Sequence, residues 1–522
     1  MVLITNTLTY DLGIFLVTLI TAFVIYIKWV YTYWQKKGLA TEPTVIPFGN
    51  GAKVATCQQN IGELFSDMYF KFKSKGLKHG GAYFLMKPFY VPVDLEIVKG
   101  IMQNDFGNFV NRGMYVNEKA DTMSTNLFNL EGGKWKSLRA KLSPTFTSGK
   151  LKMMFNTLSE CGLGLNDMIE EYARTGEELN IKDILQRFSI DIIGSVSFGI
   201  ECNSIKNPES EFFLNGKRLF SLEFTNILRF LSPIALPHSV LKFFNFNSFN
   251  VSVTNFFDNI IKQNVEYREK NNITRPDFFH LLLQLKNRGK VCDDDKLQDT
   301  NKSTKESALT LDELTAQSFV FFIAGYETTS TTMTFALSEL ALNQEIQEKA
   351  RKEIEMVAAK HNGELSYEAI KDMTYMEQII NETLRKYPPV PILLRKCNKT
   401  YPVPGTDVVI EKDDMVAISS LAIQNDPEIY ENPEKFDPDR FSTKNTASRH
   451  QFAHIPFGEG PRICIGMRFA LMEAKVGMAA ILKNYNITLS KRTKVPIQLD
   501  PKSFISAPKD GIWIHAKRIS TD

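Results

Sequence analysis

The segment that most constrains this chain is a short glycine-rich loop feeding a helix. Phe457-Gly458-Glu459-Gly460-Pro461-Arg462-Ile463-Cys464-Ile465-Gly466 runs directly into the helix-periodic stretch Met467 to Leu482. The junction sets Cys464 at a helix mouth, where free N–H groups and the helix dipole favour a thiolate over a thiol. Gly458 and Gly460 can take positive φ, so the backbone can fold tightly and aim its N–H groups at the sulfur. Such bonds would temper the charge of a metal-bound thiolate and help set its redox potential. Arg462, two residues before the sulfur, could reach an anionic group on the same ligand. Taken alone, one cysteine in a glycine-rich loop reads more often as a buried free thiol, so the rest of the chain has to decide.

The order Phe, Gly, Arg, Cys, Gly at these spacings, continued by Arg468-Phe469-Ala470, resembles the haem-binding loop of the cytochrome P-450 superfamily. Further segments carry the same resemblance. They include Phe109-Val110-Asn111-Arg112-Gly113, Trp135-Lys136-Ser137-Leu138-Arg139, Phe146-Thr147-Ser148-Gly149-Lys150 and Ala324-Gly325-Tyr326-Glu327-Thr328-Thr329. Glu382-Thr383-Leu384-Arg385 and Phe436-Asp437-Pro438-Asp439-Arg440-Phe441 complete it. Tyr33-Trp34, the segments at Phe109, Trp135 and Phe146, and Gly458-Glu459-Gly460-Pro461 together look like the insect microsomal group associated with detoxification. The likeness spans nearly the whole chain and is weak only from Glu201 to Lys302, where substrate-contacting helices of the family usually lie. The implied fold is mainly α with a small β-sheet region, and the implied cofactor is haem b held by Cys464, bedded on Phe457, Gly458 and Gly466.

Other residues have a reading of their own beside the family's. Phe319 to Ile323 is an apolar run on a helix that looks buried on all sides. Glycine, glutamate and threonines in its middle lower helix propensity and create polar groups that need partners. Either the threonines bond back to the preceding turn, or the helix widens beside a reaction site. The resemblance implies the second: Ala324 and Gly325 leave room for dioxygen, Thr328 holds a water or the distal oxygen, and Glu327 relays protons. Glu382 and Arg385 fall on one helix face and can pair; the resemblance adds Arg440 to form a buried network behind the cysteine loop. Trp135 and Arg139, at i and i+4, offer donors only, which suits carboxylates. With Arg395 and Arg462 they are expected to grip the haem propionates. By analogy the substrate pocket takes Phe128, Phe319, Ala324, Ile392, Leu393 and Phe504, each of which could equally be core. His454 reads as packing or hydrogen bonding near the loop.

Composition bounds the alternatives. A net charge of +3 over 522 residues gives no concentrated basic face for nucleic acid. Six scattered cysteines show no zinc spacing and suit a reducing compartment. Leu12 to Ile27 is uncharged and apolar, followed by Lys28, Trp29, Tyr31, Tyr33 and Trp34. That reads as a transmembrane helix with an interfacial belt. Asp11 before it and Lys28, Lys36 and Lys37 after it put the bulk of the chain in the cytosol. The expected organisation is an anchor over 1–34, a linker over 35–50 and a catalytic domain over 51–522, on the endoplasmic reticulum membrane. A polar, low-complexity surface loop is expected from Lys290 to Ser307.

No GxGxxG follows a predicted strand, so electrons must come from another protein. By resemblance that is NADPH–cytochrome P-450 reductase, with cytochrome b5 as a second donor, and Lys134, Lys136, Arg139 and Lys141 form a candidate docking cluster. The expected activity is insertion of one oxygen atom from dioxygen into small apolar molecules, such as plant toxins or insecticides. A narrow hydroxylase of an endogenous hormone or lipid and a haem-thiolate isomerase stay open at this point.

Overall fold

The computed structural model describes residues 8–220, 223–291 and 308–519. The loop expected around Lys290 to Ser307 therefore lies almost wholly outside the described residues. The helices that position the site are α1 (Leu8–Val30), α2 (Gly132–Leu142), α3 (Ser148–Thr175), α4 (Ile181–Ile193), α5 (Val251–Asn271), α6 (Phe278–Arg288), α7 (Leu311–Leu342), α8 (Thr374–Lys386) and α9 (Met467–Leu482). Among the described residues nine short strands accompany them: β1 (His79–Phe84), β2 (Lys87–Pro92), β3 (Leu179–Asn180), β4 (Ile392–Lys396), β5 (Tyr401–Pro402), β6 (Val409–Ile410), β7 (Met415–Ser419), β8 (Tyr485–Leu489) and β9 (Trp513–Arg518). The mainly α architecture with minor sheets agrees with the sequence reading.

Helix α7 is the axis of the molecule. Thr310 caps it, its hydroxyl accepting from the Glu313 N–H while the Glu313 carboxylate accepts from the Thr310 N–H, so two of the orphan donors of a helix start are satisfied reciprocally. From there the helix runs uninterrupted for 32 residues, packed most extensively on α4 and also against α5, α6, α8 and α9. Its near-complete apolar surface explains this burial, since each face has a helix to meet. The widening expected around Gly325 is not present. Thr328 Oγ1 instead donates to the Ala324 carbonyl at 2.6 Å, and Thr332 and Thr334 bond back to the preceding turn in the same way.

A second core gathers on the sheet ordered β1-β2-β7-β4. Here β1 and β2 form an antiparallel hairpin, β2 runs parallel to β7, and β4 pairs antiparallel with β7. The sheet also receives the chain leaving α1. Ile27, Tyr31, Trp34 and Leu39 are buried in this core. Tyr31 Oη donates to the Leu85 carbonyl at 3.1 Å, and Tyr33 Oη to Asp414 at 2.6 Å. Residues 35–50, expected as a linker, continue along the same edge, with Gly81 N–H donating to the Ala40 carbonyl at 2.8 Å. Aromatic residues at the end of the apolar helix thus serve the sheet as well as any membrane interface. Helix α1 itself leaves most of its apolar side chains exposed, among them Leu12, Phe15, Leu16 and Val17, and it is long and apolar enough to cross a membrane.

Candidate active site

The cysteine loop closes on itself before α9 begins. Cys464 N–H donates to the Phe457 carbonyl at 2.9 Å, Ile463 N–H to Gly460 at 3.0 Å and Gly458 N–H to Ile455 at 3.0 Å. Gly458 and Gly460 both have positive φ, 72° and 71°, as the sequence requires. Gly460 is needed for a second reason: a Cβ there would stand 2.0 Å from the Met102 carbonyl oxygen. The loop is thereby pressed onto the helical turn Gly100–Asn104.

Above Cys464 lies a cavity holding about 1600 Å³ of space not filled by protein atoms, its mouth included. Ala324, Gly325, Thr328 and Thr329 of α7 face it from one side, and Phe457, Cys464, Gly466 and Phe469 from the other. The Cys464 side chain has free surface, yet protein surrounds it on every side; that surface belongs to the cavity and not to bulk solvent. Burial pushes its thiol up, while the Gly466 N–H and the Arg112 and Arg139 guanidinium groups pull the other way. Gly325 has a role the sequence does not suggest. A Cβ on it would meet Ile193 Cδ1 of α4 at 2.6 Å, so glycine lets α4 pack closely here and a larger residue would require the Ile193 side chain to shift.

Cations converge on one side of this cavity. Trp135 and Arg139, one turn apart on α2, both line it, as their spacing predicts. Arg112 lines it as well; it was not anticipated as a ligand-binding residue, because it sits in an aperiodic loop. Burial and the neighbouring Arg395, Arg462 and Arg139 charges hold its guanidinium well below the usual arginine range. Arg395, on β4, is not itself among the lining residues but lies within electrostatic reach of Arg112 and Arg462; burial pushes it down to about 10, and its buried Nε has no hydrogen-bond partner among the described residues. No carboxylate among those residues closes an ion pair with any of these arginines. Such a group is unfavourable unless anions join it. Two propionates beside a flat ligand whose iron meets Cys464 fit both the charge and the orphaned donor.

Arg462 belongs to the cluster but is already engaged. Its Nε donates to Val110 at 2.9 Å, its Nη2 to Leu130 at 2.6 Å, and its Nη1 lies 3.4 Å from both Leu127 and Phe128 carbonyls. The guanidinium also stacks on Trp135, 4.2 Å from the ring centroid. It braces the cysteine loop against residues 110–130 before it can serve any ligand.

Of the six expected pocket residues, the cavity receives Phe128, Ala324 and Leu393. Phe319 does not face it: the ring is fully buried against Phe249 and Phe257, at centroid distances of 5.2 and 5.4 Å. Ile392 is outside the cavity lining, although it and Leu393 both pack against the sheet core. Phe504 is also outside the cavity lining; it stacks on Phe230 at 3.4 Å between centroids.

Glu327 is turned away from the cavity towards α4. Its Oε2 accepts from Gln186 Nε2 at 2.8 Å and its Oε1 pairs with Lys182 Nζ at 3.1 Å. Glu382 sits at the centre of a buried network of hydrogen bonds and ion pairs. Arg385 donates Nε and Nη2 to the two carboxylate oxygens at 2.7 and 2.9 Å. Asp437 N–H adds 2.9 Å and Arg440 Nε closes to 3.5 Å. His454 forms no hydrogen bond within the described residues. It packs on Phe441, and burial pushes its imidazole down to about 3, so it is neutral at physiological pH.

Comparison with known proteins gives one consistent answer. Residues 41–515 match the family model described as cytochrome P-450. The chain is 40% identical to cytochrome P-450 6A1 of Musca domestica, over 98% of both chains. It is 37% identical to probable cytochrome P-450 6a14 of Drosophila melanogaster, over 95% of this chain and 97% of the relative. Cytochrome P-450 6k1 of Blattella germanica is also 37% identical, over 98% of both.

Proposed function

The chain belongs to the cytochrome P-450 family, whose members are haem-dependent monooxygenases, and on that footing we propose that it oxidises small apolar xenobiotics at a membrane surface with electrons from NADPH–cytochrome P-450 reductase. Haem, when bound, activates dioxygen for insertion into C–H bonds. The observation that carries the reading is the cavity, apolar around Phe128, Ala324 and Leu393, with Cys464 at its base and arginines without a carboxylate partner at its side.

The chain's own residues have distinct tasks in this reading. Cys464 ligates the iron, and the Gly466 N–H moderates its charge. Trp135, Arg139, Arg395 and Arg112 bind the propionates, while Arg462 ties the loop to residues 110–130. Thr328, whose hydroxyl already donates to Ala324, keeps its lone pairs towards the cavity and orders the groups that receive protons. Glu327, paired with Lys182, connects this region towards solvent. Phe457 and Gly458 form the floor. Phe128 is held by Arg112, whose guanidinium lies 4.1 Å from its ring centroid, and it borders the substrate with Leu393.

Removing the Thr328 hydroxyl has a defined expected outcome. Thr328→Ala should retain haem but divert most NADPH into peroxide or water, lowering product per NADPH by about tenfold or more. Product and NADPH measured together check this; coupling equal to wild type would remove Thr328 from the proton path.

Helix α1 serves as the membrane anchor in this proposal, with the catalytic domain over 51–522 on the cytosolic face of the endoplasmic reticulum. The docking cluster is narrower than the sequence implies. Arg139 faces the cavity, and Lys134 pairs with Glu118 at 2.5 Å, which leaves Lys136 and Lys141 as the main candidates. Reconstitution with the reductase and several unrelated apolar compounds tests the whole reading. Broad turnover is expected, whereas turnover of a single hormone-like compound would support the narrow hydroxylase. Lys136→Glu with Lys141→Glu should slow reductase-driven turnover several-fold at low salt and much less at high salt. An unchanged rate at low salt would place the docking face elsewhere.

A further inference from the structure

Helix α4 does not end as an ordinary helix. After Ile193 the chain widens into the turn Gly194–Phe198, closed by i→i+5 bonds. Gly199 follows in the left-handed region, with φ 69°, and its N–H donates back to the Gly194 carbonyl. Ile193, Val196 and Ser197 all line the cavity above Cys464. The wall they make therefore depends on how firmly this turn is held.

The turn leaves carbonyls at its end that no later turn can satisfy. Side chains from α5 and from the link to α6 take them. Asn264 Nδ2 donates to the Phe198 carbonyl. The Gly199 carbonyl accepts from Arg268 Nη2 at 3.2 Å and from Arg275 Nη1 at 3.3 Å. Arg275 Nη2 also donates to Ser195 Oγ at 3.1 Å. The fit is close: a Cβ on Gly199 would stand 1.9 Å from Arg268 Nη2.

Arg268 is itself fixed by Asp277. Its Nη1 and Nη2 donate to the two carboxylate oxygens at 3.0 and 2.6 Å, and the two side chains are only 2% and 4% exposed. A two-pronged pair of this kind fixes orientation as well as charge. Asp277 has a second task. Its Oδ1 accepts from the His280 N–H at 2.7 Å and so caps α6. The first residue of α6 is Phe278, which lines the cavity and packs on Phe146 and Phe321 at centroid distances of 5.0 and 4.6 Å. Phe146 reaches the cysteine loop, since a Cβ on Gly466 would lie 3.9 Å from its Cε1. One buried ion pair thus sets two parts of the same wall, the turn through Gly199 and Phe278 through the α6 cap. The wall is largely apolar and adjoins the loop that carries Cys464, so it suits the hydrocarbon part of a porphyrin rather than its propionates.

We propose that Arg268 and Asp277 are positioning residues for the haem seat, which hold Val196, Ser197 and Phe278 in the cavity wall and so govern how long the chain retains its cofactor. Neither residue lines the cavity; both act through the backbone of the turn and the start of α6. Burying two charges is not by itself a route to stability. What this pair supplies, and an apolar contact could not, is a directed donor to Gly199 together with the α6 cap. The proposal rests on the haem-thiolate reading above.

The test uses the full-length haem-loaded protein and the paired change Arg268→Met with Asp277→Asn. It removes both buried charges together, so neither is stranded, and asparagine keeps the α6 cap. What goes is the donor to Gly199. Transfer of haem to excess apomyoglobin should become about tenfold faster, the order expected for losing a hydrogen bond from a charged donor. The urea midpoint, taken with haem in excess, should stay near wild type. The reduced carbon monoxide band of the haem still bound should not move, because Cys464 is untouched. Haem transfer at the wild-type rate would overturn the proposal. So would a midpoint lowered in proportion to the faster transfer, which is what a purely structural pair predicts. Should the paired variant fail to assemble, Arg275→Gln decides in its place, since that side chain is 35% exposed and holds the same carbonyl. Faster transfer in Arg275→Gln supports the role of the turn, and an unchanged rate refutes it. Wild-type protein that takes up no haem would instead strike the haem-thiolate reading on which the proposal rests.

Discussion

Exchanging Cys464 for serine should reduce monooxygenation to background while leaving the fold in place. The bonds that close the loop are backbone bonds, from Cys464 N–H to Phe457 and from Ile463 N–H to Gly460. The Cys464 sulfur faces the cavity, so the replacement removes no packing contact in the helical core. What is lost is a thiolate, which a serine hydroxyl cannot replace at neutral pH. Product formation with reductase and substrate, beside a urea unfolding curve, checks both halves. Loss of turnover with an unchanged unfolding midpoint is expected; retained turnover would mean that another side chain holds the iron.

The second large effect lies outside the cavity. Glu382→Gln should destabilise the chain by roughly 3–5 kcal/mol, because it leaves Arg385 charged and buried without its counter-ion. Both residues have no solvent exposure. Arg385 also donates to the Gln424 carbonyl at 3.0 Å and to Pro433 at 2.7 Å, so the pair ties α8 to the segment that leads to the cysteine loop. The amide can still accept one bond, but it cannot balance Arg385 and Arg440 together. The measurement is haem-loaded protein recovered per unit of chain, with the urea midpoint. A wild-type yield and midpoint would show the network to be dispensable.

The parts of this site that could be read from sequence are those whose geometry is local. Trp135 with Arg139, and Glu382 with Arg385, obey helical spacing, so a shared face follows from the period alone. Gly458 and Gly460 are open to positive φ by residue type alone, and both adopt it. Arg112 gave no such signal, because its position depends on an irregular loop brought against β4 and the cysteine loop. Phe319 was misplaced for the opposite reason: on a helix apolar all round, no face is marked as the cavity face. Ile392 and Leu393 are adjacent apolar residues of like size, and only the tertiary packing decides which of them meets the cavity. Tyr31, Tyr33 and Trp34 suited a membrane interface by type, yet Tyr31 and Trp34 are core residues of the sheet and Tyr33 packs against it.

The central claim is a bond from Cys464 sulfur to haem iron. The most direct measurement is the carbon monoxide difference spectrum of the reduced full-length protein. A strongly red-shifted Soret band, the signature of thiolate ligation, is the predicted result. A band at the position typical of nitrogen-ligated haem, or protein that takes up no haem, would contradict it.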